Sequence, residues 1–317
     1  MPASARLGVV TVTYNSGKVI EAFMRCVLAQ EHADFELVII DNASSDNTPE
    51  LLARGRDKRA AVVPNSSNLG VAAGNNQGIR LALASGCTQV LLINNDVEFD
   101  AHLFGSLLAA AGRLDADMLV PKIYFWDQPN KLWYAGGRFC WPRPYPSAHR
   151  GHNQIDRGQF DRTEKVDYGP TCCMLIRASV FKRIGFMDES YFVYCDDTDF
   201  CYRARKASLS LYYEPRITLL HKASSLTAAE PEFARRFITR NTVYFIRKTY
   251  GRPESLARLL VLQAYFLEHF LRRLLLHRDG WQELNQRQRW FREGFVMPLP
   301  RPAVSQAAAQ TRDRRGT

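Results

Sequence analysis

The first hundred residues alternate strand-like apolar runs with amphipathic segments, and this alternation limits the possible folds more than any other feature. The candidate strands lie at residues 7–15, 35–40, 61–63 and 90–93, and the candidate helices between them lie at residues 18–30, 49–56 and 71–85. This repeated order predicts an α/β fold, in which a mainly parallel sheet carries helices on both faces. The 317 residues suffice for one large domain with an appended region.

Each candidate strand ends in polar residues. These residues are Thr13, Asn15, Asp41, Asn42, Asn68, Asn94, Asn95 and Asp96. In an open parallel sheet, ligands bind just past the carboxyl ends of the strands. Taken singly, each residue is better explained as an ordinary turn or cap residue. Four groups of polar residues, one after each strand, would nevertheless lie at one edge of the sheet, and this favours a ligand site.

Two glycines, Gly74 and Gly78, interrupt the candidate helix at residues 71–85. Within a helix, each glycine costs about 1 kcal/mol relative to alanine, so their presence needs a reason. The close approach of a ligand or of another element of the fold would explain both.

Residues 127–167 form a long stretch without a regular pattern, rich in aromatic residues and proline. They include Trp133, Trp141, His149 and His152. Loops of this length usually act as lids or binding loops. The aromatic side chains would then stack on a sugar ring, or they would form a small additional core. The sequence favours neither role over the other.

Three carboxylates stand within four positions, at Asp196, Asp197 and Asp199. Their mutual repulsion would raise the pKa of one of them or lead them to share cations, as at many functional sites. A helix that starts here offers a simpler role, because acidic side chains in the first turn interact favourably with the helix dipole. Arg203 and Arg205 are candidate ion-pair partners for this cluster.

His221 follows an apolar run at residues 217–220. A single histidine in such a setting is usually a packing residue. A role as a metal ligand is the alternative.

The positive charge of the chain is concentrated in its C-terminal part. The net charge is +10, and residues 230–317 hold 17 Lys and Arg against 8 Asp and Glu. Such a region can bind nucleic acid or an anionic membrane surface, or it can have no charged partner. The rest of the chain is nearly neutral, and the sequence contains no recognised nucleic-acid motif, which argues against a nucleic-acid-binding protein.

The seven cysteines include no CxxC pair, and the odd count favours reduced thiols in a cytoplasmic protein. No apolar run reaches the roughly 18–20 residues of a membrane-spanning helix. Residues 233–250 predict one helix, and Ser255 is the expected N-cap of another that ends near residue 276. The leucine-rich face of this second helix either packs on the catalytic domain or lies on anionic lipid.

The chain resembles the family 2 glycosyltransferases, and among them the rhamnosyltransferase-like bacterial branch. The resemblance covers residues 7–225. The matching segments are residues 12–15, 41–48, 68–70 with Gly74, Asn75 and Gly78, 92–97, 173–177, 185–189, 194–203, and His221 with Ser224 and Ser225. No single segment decides the match, but the ordered set is highly specific.

The resemblance implies a GT-A nucleotide-sugar transferase fold and an inverting mechanism. Residues 1–225 would form the catalytic domain, residues 226–297 a C-terminal helical extension and residues 298–317 a disordered tail. The favoured donor is dTDP-L-rhamnose, with a UDP-hexose or UDP-galactofuranose as the alternative. The acceptor would be a glycan or lipid-linked glycan of a bacterial surface polysaccharide, reached in the cytoplasm or at the inner leaflet of the membrane.

The resemblance also assigns candidate site residues. Those expected to bind the nucleotide sugar are Thr13, Tyr14, Asn15, Asp41, Asn42, Ser44, Asp46, Asn68, Gly70, Gly74, Asn75, Asn94 and Asn95. Asp96 would bind a divalent cation, Mg²⁺ or Mn²⁺, with His221 near it. Asp197 matches the catalytic base.

Two residues depart from the family pattern. Asn94 stands where a DxD motif has its first acid, so the protein supplies fewer anionic ligands and metal dependence would be weak. Asp196 stands in place of the more usual Glu, which leaves Asp197 as the better candidate base. A catalytically inactive relative is a further alternative, but Asp96, Asp197 and His221 argue against it.

Overall fold

The computed structural model describes residues 6–55, 57–222, 231–275 and 280–300. The strands are β1 Leu7–Thr13, β2 Phe35–Asp41, β3 Ala60–Pro64, β4 Gln89–Ile93, β5 Val97–Glu98, β6 Met118–Phe125, β7 Leu132–Tyr134, β8 Gly137–Phe139, β9 Ser147–His149, β10 Glu164–Lys165, β11 Cys173–Arg177 and β12 Leu211–His221. The helices are α1 Ile20–Leu28, α2 Thr48–Arg54, α3 Val71–Ala84, α4 Leu103–Leu114, α5 Ala178–Ile184, α6 Asp196–Lys206, α7 Pro231–Thr249, α8 Arg252–Leu275 and α9 Trp281–Val296. The predicted alternation over the first hundred residues is confirmed.

The main sheet is mixed, and its parallel part consists mostly of the strands from the first hundred residues. Its order is β10-β12-β6-β11-β4-β1-β2-β3, with β5 paired to β12 and β7 paired to β6. Strands β1, β2, β3 and β4 are parallel to one another, whereas β11 runs antiparallel between β4 and β6. The register places Thr13 opposite Asp41, so the polar ends of β1 and β2 lie side by side.

The two helical glycines let α3 lie directly on β1. A Cβ atom on Gly78 would lie 2.3 Å from Val10 Cγ1, and one on Gly74 would lie 2.8 Å from the Val12 side chain. Neither distance is compatible with normal packing in a protein interior. Of the two explanations that the sequence left open, the structure therefore supports the approach of another element.

The acidic cluster does begin a helix, since α6 starts at Asp196. The helix predicted at residues 233–250 is confirmed as α7. The expected N-cap at Ser255 is wrong, because α8 already begins at Arg252 and the Ser255 hydroxyl donates to the carbonyls of Ile246 and Tyr250.

A second apolar cluster joins the C-terminal helices to the rest of the fold. Its buried members are Tyr191, Val243, Tyr244, Phe245, Ile246, Leu259, Leu262 and Phe266. Because Tyr191 precedes α6, helices α7 and α8 pack against the part of the chain that carries the acidic cluster. None of the described helices is long and apolar enough to cross a membrane. Residue 276 and the predicted disordered tail beyond residue 300 lie outside the described residues.

Candidate active site

The ends of β1 and β2 are joined through the carboxylate of Asp41. The Thr13 hydroxyl donates to Asp41 Oδ1 at 2.7 Å, and the Ser44 hydroxyl donates to the same oxygen at 2.6 Å. The Ser44 amide donates to Asp41 Oδ2 at 3.1 Å. A carboxylate has about four lone-pair positions, so Asp41 keeps capacity to accept a bond from a ligand.

The loops after β1 and β2 hold each other in place. Asn15 Oδ1 accepts a hydrogen bond from the Ser45 amide at 2.8 Å, and Asp46 Oδ2 accepts one from the Gly17 amide at 2.9 Å. Asn15 has a φ of 52°, in the left-handed region that asparagine tolerates better than most residues. Tyr14, between these contacts, is 43% exposed and free to contact a ligand.

The third loop is tied to the second. The side-chain amide of Asn42 donates to the Gly70 carbonyl at 3.0 Å, and the backbone amide of Gly70 donates to Asn68 Oδ1 at 2.9 Å. Gly70 has a φ of +86°, and a Cβ atom there would lie 2.5 Å from the Phe192 carbonyl oxygen. Only glycine satisfies both conditions. This loop therefore brings the donor side of the site against the segment that precedes α6.

The remaining candidates line the same edge from α3 and β4. The side-chain amide of Asn95 donates to the Val12 carbonyl at 2.7 Å, and the backbone amide of Asn94 donates to the Cys172 carbonyl at 3.0 Å. Asn75 is buried beside Met187, and Gly74 packs on Val12. The structure gives these residues packing and hydrogen-bonding roles, and their contact with a nucleotide sugar stays a prediction.

Asp96 and His221 meet across the pairing of β5 with β12. His221 Nε2 lies 3.3 Å from Asp96 Oδ1, and both side chains are buried. His221 Nδ1 has no hydrogen-bond partner among the described residues. Carboxylate oxygen and imidazole nitrogen both bind divalent cations, so the pair fits a metal. No group of three His, Cys, Asp or Glu side chains forms a metal cluster in the described part of the chain, so further ligands would come from a diphosphate and water.

Asp197 lies in the first turn of α6 and is held at both carboxylate oxygens. The Tyr168 hydroxyl donates to Asp197 Oδ2 at 2.8 Å, and the Thr198 amide donates to Oδ1 at 2.6 Å. Burial raises the pKa of Asp197, although these hydrogen bonds oppose the change. A carboxylate with a raised pKa is a stronger base than an exposed one.

The other two acids differ from Asp197. Burial raises the pKa of Asp196, and the adjacent Asp197 raises it further. Asp199 instead accepts bonds from Arg203 Nε at 2.8 Å and Lys248 Nζ at 2.6 Å, so it is a structural ion-pair partner. The expected pairing of Arg203 with the cluster is confirmed. The expected pairing of Arg205 is wrong, because Arg205 pairs instead with Asp167, its Nε lying 3.5 Å from Asp167 Oδ1.

An aromatic cluster from residues 133–168 connects Asp197 to the Asp96–His221 pair. The Trp133 ring makes edge contacts with His149 and His221, each with ring centroids 4.5 Å apart. His149 in turn stacks on Tyr168. Burial lowers the pKa of His149 to about 4, so this ring is neutral at pH 7. The expected small additional core is not formed, because Tyr134 and Tyr168 are buried in the main core and Trp133 packs against it. Trp141, in contrast, is 49% exposed.

Tyr168 is a candidate site residue that the sequence did not reveal. A tyrosine 29 positions before Asp197 gives no periodic signal, and only the folded chain brings the two together. Its position next to the irregular stretch was the sole indication in the sequence.

The geometry joins polar strand ends, a carboxylate–histidine pair and a buried carboxylate at one edge of an α/β sheet. A model of the glycosyl transferase family 2 matches residues 8–185. The chain belongs to glycosyl transferase family 2. It is a glycosyltransferase of the rhamnosyltransferase-like group that the resemblance indicated.

Two characterised relatives support this assignment. The chain is 29% identical over 251 residues to the N-acetylglucosaminyl-diphospho-decaprenol L-rhamnosyltransferase of Mycobacterium tuberculosis, covering 71% of this chain and 78% of that protein. It is 21% identical over 212 residues to the dTDP-rhamnosyl transferase RfbF of Shigella flexneri, covering 67% of each.

Solved structures show the same fold. TarS from S. aureus in complex with UDP-GlcNAc is 18% identical with a TM-score of 0.54, covering 90% of this chain and 79% of that one. The mannosyltransferase PcManGT from Pyrobaculum calidifontis, in complex with GDP-Man and Mn²⁺, is 15% identical with a TM-score of 0.52, covering 98% and 80%. This family 2 enzyme therefore has the predicted GT-A fold, followed by C-terminal helices.

Proposed function

We propose that this enzyme transfers L-rhamnose, with inversion, from dTDP-L-rhamnose to a hydroxyl group of a lipid-linked glycan in bacterial surface polysaccharide synthesis. The observation that carries the proposal is the chain of contacts from Asp197 through Tyr168, His149 and Trp133 to His221. These contacts link the buried Asp197 carboxylate to the Asp96–His221 pair, which supports their joint use in one site. The donor and acceptor classes follow the names of the two relatives.

Asp197 acts as the general base in this proposal. Inverting transfer needs a base that removes the proton of the acceptor hydroxyl while that oxygen attacks the anomeric carbon. The bond from this carbon to the diphosphate oxygen breaks as the new glycosidic bond forms. Tyr168 and Thr198 fix the carboxylate, so that its remaining lone pairs face the acceptor.

Asp96 and His221 would hold a divalent cation, and a cation there would neutralise charge on the diphosphate leaving group. Asn94 contributes no negative charge to this set, so nucleotide and metal would bind together. On the donor side, we assign Thr13, Asp41 and the loop residues Asn15 and Ser44 to the nucleobase and ribose.

We further propose that the enzyme works at the cytoplasmic face of the membrane, held there by the outer face of α8. This face presents exposed leucines at helical spacing, which are Leu256, Leu260, Leu267, Leu271 and Leu274. Exposed apolar stripes of this kind mark interaction surfaces, and a lipid-linked acceptor lies in a bilayer. The net positive charge of the C-terminal part suits anionic lipid.

Ligand-induced stabilisation tests the donor assignment. The thermal midpoint of the purified enzyme is measured with dTDP, UDP and GDP and their sugars, with and without Mg²⁺ or Mn²⁺. A ligand that binds only the native state raises this midpoint. The largest rise with dTDP-L-rhamnose is expected. A rise confined to UDP species would replace the donor, and no rise with any nucleotide would contradict the proposed donor site.

Flotation with vesicles tests the membrane assignment. The wild-type enzyme is expected to float with vesicles that contain anionic lipid, and a Leu260→Gln/Leu267→Gln variant is expected to remain unbound. The matched control is Leu81→Gln, which changes a leucine that is 42% exposed on α3. Equal flotation of wild type and the α8 variant would contradict the role of this face.

A further inference from the structure

The segment that leads into α6 has an unusual backbone. We call residues 190–195 the strap. Phe192, Tyr194 and Cys195 have φ values of 65°, 62° and 63°. Side chains other than glycine rarely adopt this left-handed region, and they keep it only where surrounding contacts hold the backbone. The strap ends directly before Asp196 and Asp197, so its conformation sets where the first turn of α6 begins.

One buried side chain of the C-terminal region holds most of the strap. Asn241 on α7 is fully buried, and its Nδ2 lies 2.9 Å from Tyr191 O, 2.7 Å from Val193 O and 2.9 Å from Tyr194 O. Two N–H groups are therefore shared among three carbonyls. Tyr191 O also accepts the Val193 amide at 2.8 Å, whereas Val193 O and Tyr194 O have no backbone donor in the described part of the chain. Buried backbone oxygens need a donor.

A second residue of α7 supports this amide. Arg240 Nε donates to Asn241 Oδ1 at 2.8 Å, which orients the amide with its N–H groups toward the strap. Arg240 Nη2 also donates to Ser190 O at 3.0 Å and to Tyr191 O at 2.8 Å. The guanidinium and the amide thus form one hydrogen-bonded unit.

The other strap carbonyls bond to the catalytic domain. The Val71 amide, at the start of α3, donates to Phe192 O at 2.6 Å, and the Asp199 amide donates to Cys195 O at 2.9 Å. The strap therefore connects three parts of the molecule, which are the donor-side loop at Gly70, the base-bearing helix α6 and the C-terminal helix α7.

We propose that Asn241 and Arg240 are positioning residues for transfer, and that they act by holding the strap so that Asp197 faces the acceptor hydroxyl. This inference rests on the proposed role of Asp197 as the base. Without the Asn241 amide, Val193 O and Tyr194 O lose their donor, while Tyr191 O keeps its bonds from Arg240 and from the Val193 amide. The left-handed residues of the strap are then free to relax to negative φ. The first turn of α6 then shifts, and a displacement of about 1 Å at a base can reduce a rate by roughly a hundredfold.

In this proposal, the C-terminal helix α7 contributes to the active site by fixing the position of Asp197. Lys248, the second-to-last residue of α7, adds a further contact, since its ammonium bonds both Asp188 and Asp199 on either side of the strap.

The test compares Asn241→Ala, Arg240→Met and a control in full-length enzyme. The control is Ser255→Ala, which also removes a buried donor to two backbone carbonyls of the C-terminal helices but does not touch the strap. Both test variants are expected to lose roughly ten- to a hundredfold in kcat with a donor KM within about threefold of wild type. Amide hydrogen exchange over residues 190–197 is expected to accelerate in both, and to stay unchanged in the control.

Arg240→Met keeps the test decisive if Asn241→Ala does not fold, because Arg240 is only partly buried. Wild-type kcat and unchanged exchange over the strap in folded Arg240→Met would overturn the inference. Asp197→Asn separates the two proposals. If it is inactive while the strap variants keep wild-type turnover, only the positioning role is wrong. If Asp197→Asn keeps wild-type turnover, the base assignment itself fails.

Discussion

On the donor side of the site, polar side chains bond to loops that follow neighbouring parallel strands. On the base side, Asp197 depends on a tyrosine 29 residues earlier, and the strap before it depends on an asparagine 48 residues after Val193. On the donor side, left-handed residues lie singly in separate loops, whereas the strap has three of them within four positions, at Phe192, Tyr194 and Cys195. Parallel strand pairing alone therefore brings the polar strand ends together, while Asp197 is held by contacts that the sheet does not provide.

The strongest test of this comparison removes the base alone. Asp197→Asn keeps the shape of the side chain but not its basicity, so kcat is expected to fall by about 10²- to 10⁴-fold. Donor affinity should stay within a few-fold, because the donor side makes no direct bond to Asp197. Steady-state kinetics and nucleotide titration check both values. A variant with comparable turnover would remove Asp197 from the mechanism.

The corresponding change on the donor side is Asp96→Ala. We expect metal-dependent nucleotide affinity to fall by about tenfold, the lower range for loss of one metal-site group. Calorimetric titration with and without Mn²⁺ measures this difference. Asp100→Ala is the matched control, since its exposed carboxylate accepts only the His102 amide nearby. Unchanged affinity in Asp96→Ala, with and without metal, would exclude its metal role.

The donor side also depends on the contact of α3 with β1. Gly78→Ala places a methyl group against Val10, and such overpacking is expected to reduce the free energy of unfolding by about 1–3 kcal/mol. Gly105→Ala on α4 is the control, because the added carbon has no atom within 4 Å beyond its chain neighbours and its own helix backbone. This change is expected to raise the free energy of unfolding by up to about 1 kcal/mol. Denaturant unfolding compares the two. Equal stability would show that α3 moves away from the strand at little cost.

The smallest expected effect is a change in pH dependence. The Tyr168 hydrogen bond lowers the pKa of Asp197, against the larger effect of burial that raises it. Tyr168→Phe removes that bond, so the pKa of Asp197 rises further and more of the base is protonated at a given pH. The acidic limb of the kcat profile should therefore move to higher pH. A shift to lower pH, or none, would contradict the contact between the two side chains.

Much of the fold followed from the sequence because its signals are local. Alternating strands and helices, the polar residues at strand ends and the acidic start of α6 each lie within a few adjacent positions, and each was found where predicted. Caps were less predictable: Ser255 has a cap-like identity but lies inside α8, because α7 and α8 follow each other almost without a loop.

The sequence by itself determined the α/β order, the edge at which polar residues gather and the family. Hydrophobic periodicity and parallel strand pairing are enough to fix the first two features. The family followed from the ordered set of segments that resemble it. Only the tertiary structure decided which acid of the cluster is held by Tyr168, which one is neutralised by Arg203 and Lys248, and what Asn241 holds. These contacts join side chains across long sequence separations through a backbone whose left-handed φ values no residue pattern encodes.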